Sequence, residues 1–220
     1  MKEDSVISPV VAILAVVVTF LLILFLGGII FVILQNVIAL IIQELLVVVI
    51  PLGYMLIKKV NVRSYIGLDI KPKNITLGIA FGGFLFFFDI FVTGILISIF
   101  GPSNTVKDAN TMIADLSNSP QGAASIAFWL ALAGVCEEFT FRGFLQNALS
   151  HRYSFIPAVL ISSLAWGLFH FDPQFIYIIS VFFAGLILGY VYSRTHSYVV
   201  SASAHATLNL IVLALLLLHY

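Results

Sequence analysis

The stretch Ser125-Ile-Ala-Phe-Trp-Leu-Ala-Leu-Ala-Gly-Val-Cys-Glu137-Glu138-Phe-Thr-Phe-Arg142-Gly-Phe-Leu145 decides how this chain is read. It is apolar almost throughout, and an uninterrupted run of that length is what a membrane-spanning helix requires. Yet it carries three charged side chains. A carboxylate in hydrocarbon costs several kcal/mol, so ionisable groups at such depth face a protein interior or a wet cavity. The stretch therefore predicts a helix shielded by other helices, with a buried polar site among them.

The rest of the chain supports that premise. Of 220 residues, 61% are hydrophobic and 9% charged, whereas soluble domains carry about 25% charged residues. Mean hydropathy is +1.15. The net charge is zero, and no basic patch points to nucleic acid. Cys136, the single cysteine, excludes an intrachain disulfide. About seven apolar segments are long enough to span, at 9–33, 37–57, 75–100, 123–149, 155–172, 174–193 and 197–218. Only Gln35-Asn36 interrupts the first two. After the short mixed-sign leader Met1-Lys-Glu-Asp-Ser, the run from Val10 to Leu34 is about twice a signal core and lacks a small-residue cleavage site, so it reads as a retained helix. The fold expected is an all-α polytopic bundle forming one domain over 1–220, with a buried polar cavity. Residues 101–121 are polar and read as an extramembrane connection with room for one short surface helix.

Lys58, Lys59, Arg63, Lys71 and Lys73 crowd the connection after the second span, which predicts that this loop and the amino terminus are cytoplasmic. Gly78/Gly82 and Gly185/Gly189 have the spacing that lets helix backbones approach closely. Glu44 and Asp89 are two further acids inside apolar spans, without a cationic neighbour in sequence.

Helical phase gives the acidic pair two roles. Glu138 and Arg142 are four apart and lie on one face, able to pair. Glu137 points about 100° away and remains available to a cavity as a general acid or base. A purely structural Glu–Arg cross-link between helices explains the pair about equally well. Further on, Trp166-Gly-Leu-Phe-His170 sets an aromatic wall beside an imidazole, and His205-Ala-Thr-Leu-Asn209 projects an imidazole and a carboxamide together. Rigid donors of that kind suit an oxyanion, although each motif alone is equally a helix–helix hydrogen bond. At 1.5 Å per residue, Glu137, His170 and His205 lie roughly 18, 22 and 14 Å from the cytoplasmic ends of their helices, one layer within boundary error. Cys136 reads as core, and His151, His196 and His219 as loop, interface or terminal residues.

Taken in order, Glu137-Glu138-Phe-Thr-Phe-Arg142, Trp166-Gly-Leu-Phe-His170 and His205-Ala-Thr-Leu-Asn209 resemble the CPBP family. That family comprises the type II CAAX prenyl endopeptidases and the bacterial Abi or bacteriocin-processing relatives. The resemblance covers roughly residues 120–212, with 1–119 as amino-terminal spans. Thr140 stands where the family is usually apolar, Trp166 where it often has Phe, and His196 where it often has Gly. The resemblance implies an intramembrane peptidase in which Glu137 and His170 activate water. It implies further that His205 and Asn209 hold the oxyanion, while Glu138 and Arg142 brace the site. Its substrate would be a membrane-associated peptide or protein, a prenylated carboxyl-terminal tail being one form, reached through a cavity open to the cytoplasmic side. Water activation without a metal is expected; Zn2+ held by Glu137, His170 and His205 is the alternative. Competing readings are a non-catalytic bacteriocin-immunity or peptide-binding membrane protein and a proton-coupled transporter. No internal repeat supports the transporter.

Overall fold

A computed structural model describes residues 7–219; the charged leader Met1–Ser5 lies outside them. Nine helices are present among the described residues. They are α1 (Pro9–Leu34), α2 (Val37–Ile57), α3 (Val62–Tyr65), α4 (Pro72–Phe100), α5 (Asn104–Leu116), α6 (Pro120–Ser150), α7 (Phe155–Phe169), α8 (Ile176–Thr195) and α9 (Tyr198–His219). Six of them, α1, α2, α4, α6, α8 and α9, are long and apolar enough to cross a membrane. The fifth expected span is the exception: α7 has 15 residues, about 22 Å at 1.5 Å per residue, short of a hydrocarbon core of about 30 Å. It ends at His170. The outer faces carry large exposed apolar side chains such as Phe25, Val32, Phe87 and Phe91, the surface a bilayer would cover.

Local chemistry sets the boundaries. Gln35 adopts a left-handed conformation (φ 47°) that ends α1. The Asn36 side chain then accepts from the Ile38 and Ala39 amides to start α2. Ser103 and Ser119 cap α5 and α6 in the same way. Inside α2, Pro51 has no N–H, so the Val47 carbonyl four residues earlier loses its helical donor. The Thr140 hydroxyl supplies one from α6 at 2.9 Å. Thr140, the polar residue among usually apolar positions, thus satisfies a carbonyl that the proline releases.

Helix α9 is the central post, packed against α4, α6 and α8. Small residues let these backbones close in, as the spacing predicts. A Cβ at Gly78 would sit 2.7 Å from the Val200 carbonyl, and one at Gly82 would sit 2.6 Å from that of Ala204. Gly185 faces Ser163 and Trp166, and Gly189 faces Gln146 and Val159. Gly134 brings α6 onto α9, where a Cβ would lie 2.6 Å from the Ala206 amide nitrogen.

One departure from the expected geometry matters for the site. Helix α6 is regular to Glu138, runs as a π-helix over Phe139–Gln146, and becomes α-helical again at Asn147. All eight residues of the π segment are buried. π segments are rare and concentrate at functional sites. Here the wider turn delivers Arg142 and Gln146 to α8, where they donate to the carbonyls of Gly185 (3.2 Å) and Gly189 (2.9 Å). Gln146 also donates to Ser193 and accepts from Ser162, so its buried amide is fully engaged.

Candidate active site

Glu138 is the last α-helical residue of α6 and is wholly buried, as is Arg142. Arg142 Nη1 donates to Glu138 Oε1 at 2.8 Å. The contact is single rather than a bidentate fork, because Glu138 Oε2 and Arg142 Nε have no hydrogen-bond partner. The guanidinium carbon stands 4.4 Å from the centroid of the Trp166 ring, a cation–π contact in a water-poor setting. Glu138 Oε1 also lies 3.3 Å from His205 Nδ1, though not aligned as a hydrogen bond. The pair therefore joins α6 to α9 as well as to α8.

Glu137, one residue earlier, faces a different neighbour. Its Oε2 accepts a hydrogen bond from the Trp166 indole N–H and lies 4.0 Å from His170 Nε2. Its side chain keeps 13% of its surface exposed and that of His170 19%, enough for water to reach both. His170 Nδ1 is 3.0 Å from the Trp166 carbonyl. A carbonyl only accepts, so Nδ1 is the donor in this contact and Nε2 faces Glu137. Glu44 lies buried on α2 within electrostatic range of Glu137.

Trp166 is the hub. Its ring meets those of His170 (5.3 Å between centroids) and His205 (5.0 Å), lies under Arg142, and donates to Glu137. The sequence marks it as an aromatic wall; its N–H role is visible only in three dimensions. A Phe in that place, as the family often has, could not donate this bond.

Asn209, one turn beyond His205, donates one amide hydrogen to the Leu130 carbonyl of α6 at 3.1 Å. Its second N–H remains for another acceptor. His170, His205, Asn209 and Trp166 line a cavity of about 560 Å³. Glu137 is not part of that wall and meets it through Trp166 and His170. The wall is mainly apolar, with Asp89, Thr93, Tyr177 and Ser180 as further polar groups. The expected polar cavity is thus an apolar one with polar groups along its length.

The lining of the cavity reaches the polar connection after α4 rather than the basic one before it. Pro102, Ser103, Val106, Lys107 and Asn110 border it, and they follow the end of α4 opposite Lys71 and Lys73. Helix α7 stops at His170, which borders this space. Helix α5 covers part of that space. Asp172 anchors it, accepting from the Ser103 (3.3 Å) and Thr105 (3.0 Å) hydroxyls while also accepting from the Gln174 (3.1 Å) and Tyr177 (2.8 Å) amides. Burial pushes the Asp172 carboxyl up, but these four donors prevail and hold it below the usual carboxylate range. Asp172 has no assigned role in the sequence reading, although Asp-Pro just before a helix is a recognisable turn signal.

Cys136 is core, as expected. His151 and His196 are exposed, and His151 lies beside the Tyr65 ring. The His219 side chain lies outside the described residues. As for a metal, His205 is directed at Glu138 rather than Glu137, and among the described residues no three His, Cys, Asp or Glu side chains are grouped to hold an ion.

Comparison with known proteins adds one finding. The family model described as "Type II CAAX prenyl endopeptidase Rce1-like" matches residues 119–211, the segment that carries every residue of the site. No curated protein and no solved structure gives a significant match. A helical bundle of spanning length, a buried Glu–Glu–Arg helix and this match lead to one conclusion: residues 119–211 are similar to the Rce1-like type II CAAX prenyl endopeptidases, a family of membrane proteases.

Proposed function

We propose that the protein is an intramembrane endopeptidase that hydrolyses a peptide bond of a membrane-associated substrate. The observation that carries this reading is the approach of Glu137 Oε2 to His170 Nε2 at 4.0 Å. A water about 2.8 Å from both atoms fits that span. It would give its proton to this pair as its oxygen attacks the scissile carbonyl, and the pair would return a proton to the leaving amine. Developing charge on the carbonyl oxygen would be met by the free N–H of Asn209 and by His205 Nε2. Glu138 and Arg142 act as braces: they hold His205 and Trp166 rather than touch the substrate. No step runs through a metal ion.

The family description points to a prenylated CAAX-type tail as substrate. The basic-loop rule would place Lys58–Lys73 in the cytoplasm and the Pro102–Asn110 border of the cavity on the opposite face. The test is cleavage of matched prenylated and unprenylated peptides in detergent by wild type and Glu137→Gln. The glutamine still accepts from Trp166, so the variant should fold with an unchanged Tm and lose activity. Equal cleavage by both proteins sinks the mechanism. A Glu137→Gln protein that unfolds supports the purely structural reading instead.

A further inference from the structure

The cavity extends beyond the two histidines, and its wall carries a carboxylate that the proposed hydrolysis does not use. Asp89 of α4 lines it with Thr93 on the next turn and Ser180 of α8. The Ser180 hydroxyl donates to Asp89 Oδ1 at 2.9 Å and stands 2.8 Å from Thr93 Oγ1. A hydroxyl has a single proton. With that of Ser180 committed to the carboxylate, Thr93 must donate to Ser180. The relay fixes the orientation of the carboxylate through one oxygen. The other, Oδ2, has no hydrogen-bond partner among the described residues, yet it is not among the enclosed unpartnered atoms, so it remains accessible. No described lysine or arginine pairs with Asp89; Arg142 pairs with Glu138, Lys71 with Asp69, and Lys107 at the cavity rim pairs with neither.

A carboxylate in an apolar wall, steered by two hydroxyls and left with a free oxygen, attracts a cation far more strongly than it would in water. Tyr177 links the two regions. Its ring meets that of His170 at 5.3 Å, and its hydroxyl lies within electrostatic range of Asp89. We propose that Asp89 is a specificity-determining subsite that binds an ammonium or guanidinium group of the substrate, while the apolar wall takes the flanking segment. That the occupant is a peptide rests on the proposed function; the cation site rests on Asp89 itself.

Two sources supply such a group, a basic side chain and a free amino terminus, and the test separates them. Equilibrium binding of fluorescent peptides to the full chain in non-ionic detergent is measured in the Glu137→Gln background, so that turnover does not intrude. The peptides share one apolar sequence; one set carries a lysine at each position in turn, one carries norleucine, and each is made with free and acetylated amino termini. The lysine or free-amine peptide should bind about tenfold more tightly, the minimum expected of one charge-assisted hydrogen bond. Adding Asp89→Asn should erase the difference and leave norleucine binding unchanged, because Asn still accepts from Ser180. No preference in the parent, a preference that survives Asp89→Asn, or no binding of any peptide overturns the subsite. Absence of cleavage by wild type in a parallel assay would overturn the peptidase reading while leaving the binding comparison to judge Asp89.

Discussion

Replacing Arg142 by Met tests whether the buried pair holds the bundle together. The substitution keeps a long apolar stem but removes the group that neutralises Glu138, which has no exposed surface. It also removes the donor to Gly185 at 3.2 Å and the cation over Trp166 at 4.4 Å. Stranding one member of a buried ion pair costs about 3–5 kcal/mol, and neither charge is exposed, so solvent screening does not reduce the figure. A loss near 4 kcal/mol corresponds to a fall of about 8–16 °C in Tm for a chain of this length. The decisive comparison is a double-mutant cycle followed by thermal unfolding in non-ionic detergent. Glu138→Leu with Arg142→Met removes both charges and should recover about 2 kcal/mol relative to Arg142→Met alone. A single variant that loses less than about 1 kcal/mol, or a double variant equal to the sum of the singles, refutes the bracing role.

Trp166→Phe keeps the ring over Arg142 but deletes the donor to Glu137; kcat should fall about tenfold with KM and Tm little changed, and an unaltered kcat would show that the bond does not position the base. Gly134→Ala sets two magnitudes against each other, because alanine favours a helix by about 1 kcal/mol while its Cβ would meet the Ala206 amide nitrogen at 2.6 Å. The clash is with backbone and should win, lowering Tm; a raised Tm would mean that α6 and α9 can separate at no cost. Asp172 has a folded pKa below its unfolded value of about 3.9, so its stabilisation is complete above that value and disappears as pH falls through the folded one. Wild type should therefore lose more Tm between about pH 6 and pH 3 than Asp172→Asn, which has already lost the contribution at neutral pH. Parallel melting profiles would remove Asp172 as the anchor of α5.

Much of the architecture was legible in one dimension because a bilayer imposes a simple rule on length and polarity. The break at Gln35-Asn36, the polar connection containing α5, and the Gly78/Gly82 and Gly185/Gly189 contacts all follow from local residue type. The pairing of Glu138 with Arg142 follows too, since four residues on one helix face meet whatever else the chain does. Sequence periodicity could not reveal the π segment at Phe139–Gln146. Within it, Arg142 and Gln146 reach the carbonyls of Gly185 and Gly189, contacts between residues more than forty apart in the chain.

By itself, then, the sequence determined that the chain is a helical membrane protein and which polar residues its interior must accommodate, because burying an unpaired charge in hydrocarbon is too costly to be accidental. Only the tertiary structure decided whom each residue meets. It turned Trp166 from a wall into the donor that holds Glu137, and it directed His205 to Glu138. It also made α7 too short to span, ending it at His170 on the cavity wall. Those outcomes depend on how far helices can approach and rotate against one another, and that is set by contacts between residues distant in the chain.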